Sequence, residues 1–198
     1  VSPDWPTRKG IAIFPECVDA FQEITETAIK YAAKIGCSRV HVVAGHIPDD
    51  LNWQRAEETF LSNLTWSANL GQQNGIKILI EPLNAIDNPG YFLTTTIQAV
   101  KLLRQANHDN LYLQYDLYHA GMNGENVIKG ARDYLRLIEH MQMAGVPGRH
   151  EPDTGNIDMM TAFTAIDKMG YSGWIGAEYV PRNSTSNSFN WGQRYGIS

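Results

Sequence analysis

Four short apolar runs in this 198-residue chain each end in a side chain that can bind a metal ion. These residues are Glu81, Asp116, Gln142 and Glu178, spaced at intervals of about 26 to 36 residues. Each run has the composition of a buried strand, and each interval has room for a loop, a helix and a returning strand. The pattern predicts parallel strands whose carboxyl ends meet at one edge. Three carboxylates and an amide at that edge would suit a hard divalent cation, Mg²⁺ or Mn²⁺.

Apolar periodicity and turn residues predict five strands, each separated from the next by a helix. A closed (β/α)₈ TIM barrel has eight strands in about 250 residues. We therefore expect a single barrel domain over residues 1–198 that contains the last five βα units. The first three units, roughly 50–80 residues, would be missing from this chain. The alternative is an open five-stranded sheet. Residues 182–198 are predicted to form a C-terminal tail with a short helix. The predicted strands are residues 39–44, 76–81, 111–116, 138–143 and 174–178, and the predicted helices are residues 16–35, 54–73, 94–105, 125–137 and 158–169.

Composition is that of an ordinary globular protein, with 43% hydrophobic and 19% charged residues. The net charge of −5 argues against nucleic acid or an anionic membrane as the main partner. No apolar stretch is long enough to span a membrane. Cys17 and Cys37 lie at opposite ends of a predicted helix, too far apart for a disulfide, which predicts a cytoplasmic protein. The two open edges of a five-stranded sheet predict a homo-oligomer.

The four strand ends lie in longer motifs. These are Ile80-Glu81-Pro82-Leu83-Asn84 with residues 89–94, Gln114-Tyr115-Asp116-Leu117-Tyr118-His119, residues 140–144 with Arg149-His150-Glu151-Pro152, and residues 173–179 with Pro181-Arg182. These motifs resemble the hydroxypyruvate isomerase family of xylose-isomerase-like barrels, which includes 2-oxo-tetronate isomerases. Ser2-Pro3-Asp4-Trp5 also resembles the loop after that family's third strand.

The resemblance implies a metal-dependent isomerase that interconverts the 2-oxo and hydroxy positions of a small sugar acid through an enediolate. It implies that Glu81, Asp116, Gln142 and Glu178 bind the metal, and that Glu81 and Glu178 also act as the acid/base pair. Which glutamate removes the proton first stays open. The substrate is hydroxypyruvate, giving tartronate semialdehyde, or a 2-oxo-tetronate. The motif at residues 149–152 is closest to the 2-oxo-tetronate branch, whereas residues 81–84 and 116–119 are nearer the hydroxypyruvate branch.

Three further residues are predicted to contact the substrate: His119, Arg149 and Glu151. Both candidate substrates are acids, and an arginine can bind a carboxylate through two hydrogen bonds. The alternatives are that Arg149 forms an ion pair with Glu151 or Asp153, and that His119 only orients Asp116.

Two other functions remain open. Abasic-site endonucleases share the barrel type, but they hold several zinc ions with histidine ligands and would need a basic face for DNA. A truncated chain without catalytic activity is the other alternative, because five strands leave the barrel interior uncovered.

Overall fold

Five β-strands pair in the order in which they occur along the chain, and helices separate them in sequence. The computed structural model describes residues 8–196, so the motif predicted at residues 2–5 lies outside the described residues. The chain divides into two compact units, Val1–Gln114 and Tyr115–Ser198. The strands are β1 Arg39–His41, β2 Lys77–Ile80, β3 Leu111–Asp116, β4 Ile138–Met143 and β5 Ile175–Ala177. The helices are α1 Val18–Ile35, α2 Trp53–Gln73, α3 Thr96–Ala106, α4 Leu117–Met122, α5 Val127–Tyr134 and α6 Met159–Lys168, with 3₁₀ helices at Pro15–Cys17 and Thr185–Tyr195.

The unit Val1–Gln114 is built on the parallel strands β1, β2 and the first part of β3. Val40 lies opposite Ile78 in the first pair, and Ile80 lies opposite Leu113 in the second. Most of β2 is buried, as expected for a parallel strand that is covered on both faces. Because β1 and β2 run in the same direction, their carboxyl ends lie at the same edge of the sheet.

Helix α2 supplies much of the core of this unit. It begins at Asn52, whose side-chain oxygen accepts a hydrogen bond from the Arg55 backbone N–H at 3.2 Å. Phe60 and Leu64 lie on its fully buried face, and the helix packs against β2, α1 and α3. The packing of this apolar face, rather than helix propensity, fixes the helix on the sheet.

The unit Tyr115–Ser198 contains β4 and β5, which pair in parallel with Gln142 opposite Gly176. The pairing continues past β5, because the Glu178 N–H donates to the Met143 carbonyl at 3.1 Å. Helix α4 packs against β4 and carries Tyr118. A small apolar cluster joins them, consisting of Tyr118, Ala144 and Val146 with Met122, Ile157 and Tyr179 around it.

Helix α5 packs against α6 and approaches the end of β3 closely. The Tyr115 hydroxyl donates to the Val127 carbonyl at 3.1 Å. A Cβ atom at Gly130 would collide with that hydroxyl, so a larger residue at this point of the helix would require the Tyr115 ring to move.

Three predictions differ from the observed elements by three residues or more, and the first is the helix 125–137, which is observed as α5 Val127–Tyr134. The predicted strand 39–44 ends at His41, because the Ala44 N–H bonds the Tyr91 hydroxyl at 2.9 Å instead of a neighbouring strand. Helix α4 lies where a loop was expected, since Asp116 caps it directly at the end of β3.

The single domain over residues 1–198 and its tail from residue 182 stay predictions. Within the described residues, no helix is both long and apolar enough to cross a membrane.

Candidate active site

Asp116 is a buried carboxylate at the end of β3, with a side chain that is 1% exposed. Its Oδ1 accepts a hydrogen bond from the Tyr118 N–H at 2.8 Å, which caps helix α4. Its Oδ2 lies 3.8 Å from His119 Nε2 and 3.9 Å from Arg149 Nη2. Among the described residues, Oδ2 accepts no hydrogen bond. Oδ1 of Asp116 therefore has a structural role as a helix cap, and Oδ2 lies near the side chains of His119 and Arg149.

Arg149 connects Asp116 to Glu178. Its Nη2 lies 2.9 Å from Glu178 Oε2, and its guanidinium carbon lies 5.1 Å from the centre of the Tyr118 ring. Glu178 Oε2 also accepts a hydrogen bond from Gln142 Nε2 at 2.9 Å. The unit Tyr115–Ser198 thus brings together the predicted site residues Asp116, His119, Gln142, Arg149 and Glu178.

Burial dominates the electrostatics of Asp116. It is the main reason that the pKa of this carboxyl is raised to about 7, and the nearby negative charge of Glu178 acts in the same direction. The Tyr118 N–H and the Arg149 guanidinium act in the opposite direction and lower the pKa. A second cation at Oδ2 would favour the ionised carboxylate in the same way.

The donor atoms of this cluster fit a hard divalent cation. Asp116 and Glu178 offer carboxylate oxygens, and Gln142 would offer its amide oxygen after a half-turn of the amide group. The buried Oδ2 of Asp116, which accepts no hydrogen bond within the described part of the chain, is the atom most in need of such a partner.

Glu81, the remaining predicted ligand, directly follows β2 in the unit Val1–Gln114. Its side chain is 6% exposed, and its Oε2 lies 3.6 Å from His41 Nδ1. The charge of Glu81 also raises the pKa of the fully buried Tyr91, although burial is the larger cause. Glu81 therefore lies beside a histidine of the neighbouring strand.

His41 and Tyr118 were not recognised as site residues from the sequence. The signal for His41 was available in part: it pairs with Leu79 of β2, and alternation places Leu79 and Glu81, two residues apart, on the same face. Tyr118 stacks under the Arg149 guanidinium, a contact that no sequence spacing predicts.

Glu151 lies apart from the Arg149–Glu178 contact, although it is only two residues from Arg149. Its Oε1 accepts a hydrogen bond from the Arg182 N–H at 3.1 Å. The predicted ion pair between Arg149 and Glu151 or Asp153 is not observed among the described residues, where Asp153 instead lies 3.9 Å from Arg194.

Parallel strands separated by helices, with acidic groups at their carboxyl ends, define an α/β protein, a class in which ligands commonly bind at that edge. The chain matches the family model described as xylose isomerase-like TIM barrel over residues 11–195, and it belongs to that family. The predicted fold class and family resemblance are confirmed.

Two curated relatives are isomerases by name. The 2-oxo-tetronate isomerase of Cupriavidus necator is 40% identical over 97% of this chain and 74% of its own length. The hydroxypyruvate isomerase of Escherichia coli is 34% identical over 97% of this chain and 75% of its own length. A solved structure described as AP endonuclease, family 2, from Brucella melitensis has a TM-score of 0.90 at 34% identity, covering 94% of this chain and 72% of that one.

Proposed function

We propose that this protein is an isomerase that interconverts the 2-oxo and hydroxy positions of a small sugar acid. The substrate would be hydroxypyruvate or a 2-oxo-tetronate, in line with the names of the relatives. The observation that carries the proposal is the Arg149 guanidinium between Asp116 and Glu178, beside the amide of Gln142. This arrangement combines oxygen donors for a cation with an arginine for a carboxylate.

The metal ligands in this proposal come from four strand ends. Mg²⁺ or Mn²⁺ fits them better than zinc, which usually takes nitrogen or sulfur ligands. When bound, the cation would polarise the carbonyl group of the substrate and stabilise negative charge on its oxygens. The proposed ligands are Glu81, Asp116, Gln142 and Glu178.

Glu81 and Glu178 would transfer the proton between the two adjacent carbons. One glutamate removes a proton from the carbon that carries the hydroxyl, which gives an enediolate, and the other delivers a proton to the former carbonyl carbon. The hydroxyl proton must also reach the former carbonyl oxygen, and His119 would donate a hydrogen bond to one of these oxygens. The two glutamates differ in environment, since the side chain of Glu81 is 6% exposed and that of Glu178 is 54% exposed.

Arg149 would bind the carboxylate of the substrate. Its side chain is 27% exposed, so the guanidinium is accessible from solvent while it contacts Glu178. A substrate carboxylate could form two parallel hydrogen bonds with the planar guanidinium, which a lysine cannot do.

The test is proton NMR of the Mg²⁺-loaded protein with hydroxypyruvate in D₂O, with an EDTA-treated sample as control. We expect metal-dependent formation of tartronate semialdehyde with deuterium at the new C–H. Glu81→Gln and Glu178→Gln should each lose both deuterium exchange and turnover, by at least about 100-fold. The exposed Glu23→Gln on α1 is the matched control and should behave like the wild type. Normal turnover by either site variant would contradict the acid/base assignment.

An abasic-site endonuclease is the second candidate, favoured by the name of the Brucella structure. Two observations weigh against it: the proposed ligands are oxygen donors, and the net charge is −5. A nicking assay on abasic duplex DNA separates the candidates, and we expect no cleavage with Mg²⁺ or Zn²⁺.

The location and assembly of the protein are also proposals. The free cysteines Cys17 and Cys37 and a small-molecule substrate favour the cytoplasm. We also propose that the protein forms a homo-oligomer through pairing of strand edges.

A further inference from the structure

Three consecutive residues after β4 bind the chain segment that follows β5. The Val180 N–H donates to the Arg149 carbonyl, His150 Nδ1 donates to the Val180 carbonyl at 2.8 Å, and the Arg182 N–H donates to Glu151 Oε1 at 3.1 Å. We call this set of contacts the loop clasp. It connects two loops, each of which carries a site residue.

Glu151 is the buried member of the loop clasp, with 9% of its surface exposed. Its Oε2 is buried and accepts no hydrogen bond from the described residues. Its own carbonyl accepts hydrogen bonds from the Thr154 N–H at 2.9 Å and from the Thr154 hydroxyl at 2.7 Å. Glu151 therefore holds its own loop through its backbone and the opposite loop through its side chain.

The charge of Glu151 is stabilised in this position. Its own backbone N–H, the Arg182 N–H and the electrostatic effects of Arg182 and His150 lower the pKa of the carboxyl, against the opposing effect of burial. An ionised acceptor makes a stronger hydrogen bond to a backbone N–H than a neutral one.

The loop clasp lies directly beside the contact that carries the proposed function. Arg149 precedes His150 in the first loop, and Glu178 lies two residues before Val180 in the second. Arg149 also donates from Nε to the Glu178 carbonyl at 3.4 Å. A change in the separation of the two loops would therefore change the distance between the guanidinium and the Glu178 carboxylate.

We propose that Glu151 is a positioning residue, whose buried carboxylate holds the Arg182 N–H and thereby sets Arg149 against Glu178. The roles of Arg149 and Glu178 rest on the proposed function, whereas the contact between Glu151 and Arg182 does not. The competing assignment is direct binding of the substrate by Glu151.

The experiment compares Glu151→Gln and Glu151→Ala in the full chain with Mg²⁺, using Asp153→Asn as the matched control. Asp153 is an exposed carboxylate in the same loop. Two quantities are measured: amide hydrogen exchange over residues 178–184, and kcat and KM for hydroxypyruvate. Glutamine keeps an oxygen that can accept from the Arg182 N–H, whereas alanine does not.

We expect Glu151→Ala to increase exchange over residues 178–184 by about 10-fold, with kcat lower and KM higher by similar factors. Glu151→Gln should stay within about 3-fold of the wild type in all three quantities, and Asp153→Asn should be unchanged. This rescue by glutamine separates a positioning role from a general loss of folding.

Direct substrate binding gives a different result: both variants raise KM while exchange over residues 178–184 stays at the wild-type level. That result would overturn the proposal. If the wild type does not turn over hydroxypyruvate, the exchange data decide alone. If exchange over residues 178–184 is then faster in Glu151→Ala but not in Glu151→Gln, the loop clasp is supported although the proposed substrate fails. Equal exchange in all variants would overturn the loop clasp.

Discussion

Arg149 combines four contacts that a single point charge could not make together. Its Nη2 binds Glu178 at 2.9 Å and lies 3.9 Å from Asp116, its Nε donates to the Glu178 carbonyl, and its plane lies over the Tyr118 ring. Guanidinium groups are suited to this because they are planar, carry donors in fixed directions and stack on aromatic rings. We infer that the arginine, and not only its charge, matters at this position.

Arg149→Lys tests this inference, since it keeps the charge and removes the fork of donors. One charge-assisted hydrogen bond contributes about 1.5–3 kcal/mol, so kcat/KM for hydroxypyruvate should fall by roughly 10- to 100-fold. Steady-state kinetics measure the effect, with Arg132→Lys on the exposed face of α5 as control. An Arg149→Lys enzyme with wild-type kcat/KM would show that charge alone suffices.

The sequence predicted the strand-end residues of the site better than the contacts between them. Asp116, Gln142 and Glu178 were recognised because each follows an apolar run, and a strand end can be read from local composition. The contact of His41 with Glu81 was missed because it depends on the register in which β1 pairs with β2, and parallel register is set by packing between distant segments.

At the level of elements, the start of α3 shows how local chemistry fixes a boundary. The Thr95 hydroxyl accepts from the Gln98 N–H at 3.2 Å, while the Gln98 side chain accepts from the Thr94 N–H and donates to the Phe92 carbonyl. This reciprocal capping resembles a capping box, with glutamine in the third helical position.

Thr95→Ala should lower the free energy of unfolding by about 1 kcal/mol, because one N–H at the helix start loses its acceptor. Urea denaturation followed by circular dichroism measures the change. Thr27→Ala, at an exposed position inside α1, is the matched control and should be neutral or slightly stabilising because alanine has the higher helix propensity. Equal effects of the two substitutions would argue against a capping role for Thr95.

Helix α4 shows why some elements could not be predicted. It is six residues long, begins directly at the end of β3, and is too short to show helical periodicity. Strands β3 and β4, in contrast, have the predicted bounds. The run of β3 is largely apolar and ends in Asp116. The bounds of the short elements depend on tertiary contacts, whereas those of the longer elements can be predicted from local composition.

For the molecule as a whole, the family could be recognised from sequence because its motifs occur at several strand ends rather than at one. The match of the family model over residues 11–195 agrees with that distribution. What the sequence could not predict is the division into two compact units, since the boundary falls within the continuous strand β3. A strand that belongs to both units gives no change in composition at the boundary.

Metal binding should stabilise the folded protein, because the unfolded chain does not present the ligands together. At a free Mg²⁺ or Mn²⁺ concentration 100 times the dissociation constant, the stabilisation is about 2.7 kcal/mol. Differential scanning fluorimetry should therefore show a rise in Tm with added metal that EDTA reverses.

Asp116→Asn is the sharpest variant for this measurement. Its amide oxygen can still accept from the Tyr118 N–H, so the cap of α4 is retained while the buried negative charge is removed. The metal-dependent rise in Tm should then be lost, while the Tm without metal is equal to or above that of the wild type, since burying a charge opposes folding. Asp158→Asn, at the exposed start of α6, is the control and should keep the metal response. A metal response that survives in Asp116→Asn would place the cation elsewhere on the protein.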